Sequence, residues 1–172
     1  MKKIMEMLQN MKAKNEKKDN KGFSLVELII VIAIMAILVG IVGTQVLPYI
    51  NKSKEAKDFQ IINSYGTAAT TAYSSNAEKV QTNITFKVYA PGSDTTAVAL
   101  SDEIKELTGY DSIDDLAGSA STTGKMASKK GKTIAEIQVS IDLTNKKITT
   151  QAYSDAACSA GKEVFDAIVT EL

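Results

Sequence analysis

Residues 21–47 read KGFSLVELIIVIAIMAILVGIVGTQVL. From Phe23 to Leu47 there are 25 residues, and Glu27 is the sole ionisable side chain among them. Leu28 to Gly43 is an unbroken run of 16 apolar or Gly residues. As a helix, Phe23–Leu47 would be roughly 37 Å long, against a bilayer hydrocarbon core of about 30 Å. The stretch therefore predicts a membrane-spanning helix. Glu27 lies at its edge, four residues past a Gly-Phe bond, and a carboxylate leaves water only with a partner.

The charges on either side orient this helix. Lys and acids number 20 each, yet residues 1–22 hold seven Lys against three acids, and the rest thirteen against seventeen. A basic leader before an apolar helix stays in the cytoplasm, which puts the polar part after Pro48 outside. An ordinary secretory signal has a shorter apolar region and a small-residue cleavage site after it. Here the run is too long and continues as TQVLPYINKSKEAKD. Ile4, Leu8 and Met11 share one helical face in the leader, and KAKNEKKDNKG after them is a solvated tether.

These residues resemble a known family. Lys21-Gly22-Phe23-Ser24-Leu25-Val26-Glu27-Leu28 is similar to the class III signal of type IV prepilins: a basic leader ending in Gly, then Phe, three residues, Glu and an apolar helix. The resemblance covers residues 21 to about 47 directly. It implies cleavage between Gly22 and Phe23 by a membrane-embedded prepilin peptidase, N-methylation of Phe23, and assembly into a filament through the first helix. It further implies that Glu27 pairs with the Phe23 amine of a neighbouring subunit as the filament grows. Physical chemistry fits that scheme. Gly22 lets a protease approach the backbone closely. Cleavage creates a cation, and two unit charges ~4 Å apart attract by about 4 kcal/mol at an effective dielectric near 20. Gly40, Gly43 and Pro48 mark where the helix kinks or, in an assembled fibre, loses order. The family's commonest Pro lies four residues earlier, where this chain has Thr44. All-Lys usage and a single Cys resemble a Gram-positive pilin more than the Gram-negative kind with its C-terminal disulfide loop.

Beyond Pro48 the pattern turns amphipathic. Ala56, Phe59, Ile62, Tyr65, Ala69, Tyr73, Ala77 and Val80 recur at helical spacing, with Lys52, Lys54, Lys57, Asp58, Asn63 and Ser64 read as surface. The helix is expected to run to about Ser75. Ile84, Phe86 and Val88 alternate with polar residues, as do Ile137, Val139 and Ile141; Thr144-Asn145 turns the chain into a return strand, Lys147 to Tyr153. Between these strands Ser101–Leu107 reads as a short helix with Ser101 as N-cap and Gly109 as its stop, and Ser112–Ala117 as another turn. Gly118–Lys132 is expected to be an exposed loop. Asp155–Leu172, with Val164, Phe165, Ile168 and Leu172 at helical spacing, reads as a C-terminal helix.

The whole predicts an α+β protein: a long N-terminal helix packed on a small antiparallel head. Its parts are a cleaved leader (1–22), a transmembrane or filament-core helix (23–47), an amphipathic continuation (48–80) and a β head with a connecting loop and the C-terminal helix (81–172). Without His, the Ser-His-Asp and Cys-His constellations and His-based zinc sites are excluded. Cys158 has no partner for an intramolecular disulfide and reads as a small buried residue. Asp102, Glu103, Glu106, Asp111, Asp114 and Asp115 cluster without EF-hand order and read as helix-start and surface acids. No metal, cofactor or catalytic activity is expected. The leading function is the structural subunit of a type IV pilus serving adhesion, motility, aggregation or DNA uptake. Alternatives are a pseudopilin of a secretion or competence machine, and a minor tip pilin whose Lys129, Lys130 and Lys132 touch a receptor or DNA. The resemblance implies as partners copies of itself, the prepilin peptidase, a platform protein and an assembly ATPase. It places the chain in the cytoplasmic membrane before assembly and on the cell surface after.

Overall fold

A computed structural model describes residues 23–119 and 121–172, together with residues 3, 5 and 6. The chain divides into two compact units, Met1–Leu47 and Pro48–Leu172. Helical backbone extends from Leu25 to Ser75.

In the first unit α1 (Leu25–Ile41) leads into a π-helical turn, Val42–Val46. None of its residues is buried. A helix apolar on every side suits only a protein interior or a membrane. The π turn lies just before a residue that breaks the ladder, since Pro48 has no N–H to give the carbonyl of Thr44. The Thr44 hydroxyl donates to the Gly40 carbonyl at 3.0 Å.

The second unit is built on α2 (Leu47–Ser75), which buries Ile62, Tyr65, Ala68, Ala69 and Ala72. Four strands form an antiparallel meander in chain order: β1 (Ile84–Lys87), β2 (Glu136–Asp142), β3 (Lys147–Tyr153) and β4 (Ile168–Glu171). Strand side chains alternate faces, so each register fixes an inward row. One such row is Phe86, Val139, Thr150 and Ile168; the next is Ile84, Ile141 and Ile148. Small residues on α2 admit the sheet, and a Cβ on Gly66 would collide with Ile168. Asp142 tightens the β2–β3 turn by accepting from both the backbone and side chain of Asn145.

The β1–β2 connection carries α3 (Thr95–Thr108) and α4 (Ile113–Ala117). Here the structure corrects the sequence reading. Ser101 is not an N-cap. Asp94 caps α3 by accepting from the N–H groups of Thr96 and Ala97, and Ser101 lies mid-helix, buried, its hydroxyl without a partner. Asp94 satisfies two orphan donors at once, and the Ala97, Leu100, Ile104 stripe extends the helix back to it. Gly109 does stop the helix, in the left-handed conformation at φ 75°.

Asp58 is not on the surface. It is fully buried on α2 and accepts from the N–H of Ala127 (2.8 Å), the N–H of Ser128 (2.8 Å) and the Ser128 hydroxyl. That clamp also corrects the reading of Gly118–Lys132 as a wholly exposed loop. Met126, Ser128 and Gly131 are buried, and Gly131 packs so closely on Asp58 that a Cβ there would overlap the carboxylate. Ala56 and Ala77 are exposed, the latter because α2 has already ended at Ser75.

The C-terminal helix does not form. Cys158 (φ 57°) and Gly161 (φ 81°) break any helix between Asp155 and Lys162, and Asp155 holds a turn by accepting from Ser159. The chain then pairs with the free edge of β3, first through Tyr153 and Glu163 and then as β4. The apolar spacing is used, but Phe165 packs against Phe59 of α2 at 6.0 Å between centroids. Cys158 itself is only half-buried.

Candidate processing and assembly site

Gly22 and Lys21 lie outside the described residues, as do most of the leader and its Ile4, Leu8 and Met11 face. The site is therefore built from Phe23 onward. Phe23 is 85% exposed. Ser24 is extended (φ −62°, ψ 141°) and caps α1. Its hydroxyl accepts from the backbone at the second and third helical positions, while Glu27 reaches back to accept from the Ser24 N–H at 3.1 Å. This reciprocal capping box satisfies helix-start donors that lipid cannot satisfy.

The geometry gives Glu27 a definite setting. Its carboxylate folds back over the positive end of the helix dipole, toward Phe23 rather than along the apolar run. Part of its desolvation is thus offset within its own chain. The sequence signal was present: Ser24-Leu25-Val26-Glu27 is a Ser-x-x-Glu capping box next to an apolar run.

Along α1 and the π turn, large apolar side chains from Leu25 to Val46 are 41–73% exposed. Gly40 and Gly43 stand in open space, where an added Cβ would meet no atom within 4 Å. Gly40 is in α1, Gly43 in the π turn, and Pro48 the second residue of α2. All three are in helical backbone.

The head holds perturbed groups, each with a structural cause. The Tyr65 and Tyr89 hydroxyls share a hydrogen bond, and burial pushes Tyr65 up to about 12 and Tyr89 upward as well. Burial raises Glu136, opposed by the N–H groups of Tyr89 and Ile137 that donate to it. Three of the six clustered acids have a local structural partner. Asp102 pairs with Lys105 at 2.7 Å, Glu103 accepts from Asn76, and Asp115 closes the α4 capping box with Ser112. Among the described residues no group of three His, Cys, Asp or Glu is placed to hold a metal. Burial raises Cys158, which disfavours its thiolate.

Among protein-family models, the prokaryotic N-terminal methylation motif matches residues 17–43. This match marks a type IV pilin-like class III signal on the stretch that carries Phe23 and Glu27. The long apolar N-terminal helix and the four-stranded antiparallel sheet are consistent with the pilin fold. No curated protein and no solved structure matches the chain. The motif supports a pilin- or pseudopilin-like protein, the apolar N-terminal helix suits a membrane anchor, and the motif implies processing by a prepilin peptidase and use by a pilus-assembly machinery.

Proposed function

We propose that this chain is the structural subunit of a type IV pilus, a polymer-forming protein without catalytic activity. One observation carries the reading: a class III signal opens a helix whose apolar surface is exposed on every side and whose single acid is at its start. Lipid covers that surface before assembly, and neighbouring copies of the same helix cover it afterwards. Residues 1–22 form a cytoplasmic leader, removed by cleavage between Gly22 and Phe23, and the new Phe23 amine is methylated. Glu27 exchanges its bond to the Ser24 N–H for an ion pair with the Phe23 amine of a neighbouring subunit. Gly40, Gly43 and Pro48 mark where the helix loosens in the fibre, and the head beyond Pro48 faces outward. The surface fibre then serves adhesion, motility or aggregation.

The test co-expresses the chain with a prepilin peptidase and an assembly apparatus. Mass spectrometry of the mature chain is expected to find N-methylated Phe23 as the first residue. Sheared surface filaments are expected to contain this chain as their main protein. Glu27→Val should leave insertion and cleavage intact and abolish filaments. Normal pili from that variant would sink the proposal, and filaments holding only traces of the chain would assign it to a tip or a pseudopilus.

A further inference from the structure

The opening turns of α2, Pro48 to Lys57, read PYINKSKEAK. None of these residues is buried, and the buried face of α2 begins only at Asp58. Tyr49 is 74% exposed and Ile50 44%, so an aromatic ring and a branched chain lie bare on a helix that has not yet reached its core. Lys52, Lys54 and Lys57 follow, all exposed, with Glu55 as the only acid between them. The one ion pair among the described residues joins Lys105 to Asp102, so none of the three lysines is paired within the chain. Asp58, the next acid, is turned inward and held by Ala127 and Ser128. Spacings of two and three residues rotate the lysines by about 200° and 300°, so they surround the helix instead of forming a stripe.

This order of residues matches the layers of a bilayer's outer face. The unbroken apolar stretch closes at Leu47. Tyr49, two residues on, has an apolar ring and a polar tip, which suit the boundary between hydrocarbon and headgroups. Lysines beyond that boundary lay their apolar stems along it and place their ammonium groups among phosphates. We infer that Tyr49, Ile50, Lys52, Lys54 and Lys57 form a collar that binds anionic phospholipid headgroups of the outer leaflet. The distribution of charge around the helix favours this partner. A protein or a nucleic acid meets a helix from one side and calls for a one-sided stripe, whereas a headgroup layer surrounds the helix. Lysine binds phosphate as a point charge without fixed geometry, which suits mobile headgroups. Exposed Tyr49 and Ile50 offer nothing to a soluble polyanion, but they continue the apolar run into the boundary layer. The collar sets the depth at which the subunit is held and ties it to anionic lipid before assembly. The inference rests on Phe23–Leu47 spanning a membrane and goes beyond it in naming the lipid and the residues that bind it.

The chain has no Trp, so Tyr49→Trp gives a single fluorescent probe at the collar. The full chain carrying it is reconstituted in vesicles of equal phosphatidylcholine and phosphatidylglycerol, with the acyl chains of one lipid or the other brominated near the headgroup. Brominated phosphatidylglycerol is expected to quench the Trp more strongly, with a local preference of about fivefold, the effect of one lysine near an anionic surface. The leader's lysines belong to the opposite face of the bilayer and do not contribute at the probe. Joint substitution Lys52→Gln, Lys54→Gln and Lys57→Gln should bring the two lipids to parity, as should high salt. Equal quenching by both lipids in the parent overturns the collar and leaves the membrane anchor standing. Absence of quenching by either lipid overturns the anchor itself, and the collar with it. A preference that survives the triple substitution overturns the role of these lysines. Parity in the parent, with filaments lost in the triple variant, assigns the lysines to a neighbouring copy and overturns the lipid site.

Discussion

Asp58→Ala should strongly destabilise the Pro48–Leu172 unit, because Asp58 is fully buried on α2. The carboxylate accepts from three groups on the Gly118–Lys132 loop. The Ala127 N–H is near the surface and can turn to water. The Ser128 N–H and hydroxyl are buried and cannot. Each buried donor left without an acceptor costs ~1–3 kcal/mol, and losing the desolvated charge returns part of that. A net loss of about 2–4 kcal/mol follows. For a unit the size of Pro48–Leu172 this lowers the thermal midpoint by about 8–15 °C. Near-UV circular dichroism of the head's tyrosines reports the transition without interference from α1, which has no Tyr or Trp. Gly131 supplies an internal control. A methyl there would overlap Asp58 Oδ2 and come within 3.1 Å of Met126 Cβ, so Gly131→Ala should cost ~1–3 kcal/mol in the parent. With Asp58 already Ala, the main obstacle is gone and the cost should shrink by at least ~1 kcal/mol. Additivity within ~0.5 kcal/mol, together with an Asp58→Ala midpoint within 3 °C of the parent by the same ~4 °C per kcal/mol, would refute the clamp.

Ser24→Ala removes the hydroxyl half of the α1 cap, worth ~1 kcal/mol, and should speed amide hydrogen exchange at Val26 and Glu27 without moving the head's midpoint. Exchange rates equal to the parent's would show that the cap contributes nothing there. Glu136 links stability to pH in the opposite sense to an ordinary surface acid. Its folded pKa is raised by burial, so the folded state holds the proton more tightly. The resulting stability is fully present below the ordinary value of 4.5 and is lost as pH rises through the raised one. The melting midpoint of the parent relative to Glu136→Gln should therefore fall with pH across that window and then level off. A difference that grows with pH would contradict this sign.

How far the chain could be read without its structure depended on whether one segment held its own answer. The long apolar helix, the end of α2 near Ser75, the β2–β3 hairpin and the Gly109 stop were all legible, because periodicity, a turn or a single Gly settles each locally. β4 was not. Val164, Phe165, Ile168 and Leu172 have helical spacing, and what makes their segment a strand is the free edge of β3, whose donors and acceptors need partners. Cys158 at φ 57° also resists prediction, since a Cys in left-handed backbone is set by the turn around it and not by its own preference.

Asp58 shows a second kind of limit. An Asp among Lys52, Lys54 and Lys57 on a solvent-rich stretch of helix carries no local mark of burial. Its partners are about seventy residues away and are chiefly backbone N–H groups, which leave no trace in side-chain identity. The one clue was Gly131, a residue whose missing Cβ makes room for the carboxylate. Glu27 and Asp58 thus pose the same physical problem with opposite legibility. Each is a carboxylate outside ordinary solvation, and each is answered by backbone N–H groups. Glu27's donor is three residues away, so Ser24-x-x-Glu27 writes the answer into the sequence; Asp58's donors are brought to it only by the fold. The charge whose bond is local and exposed is the one free to exchange that bond, as the proposed assembly requires. The charge whose bonds are buried and distant can serve only to hold a loop in place.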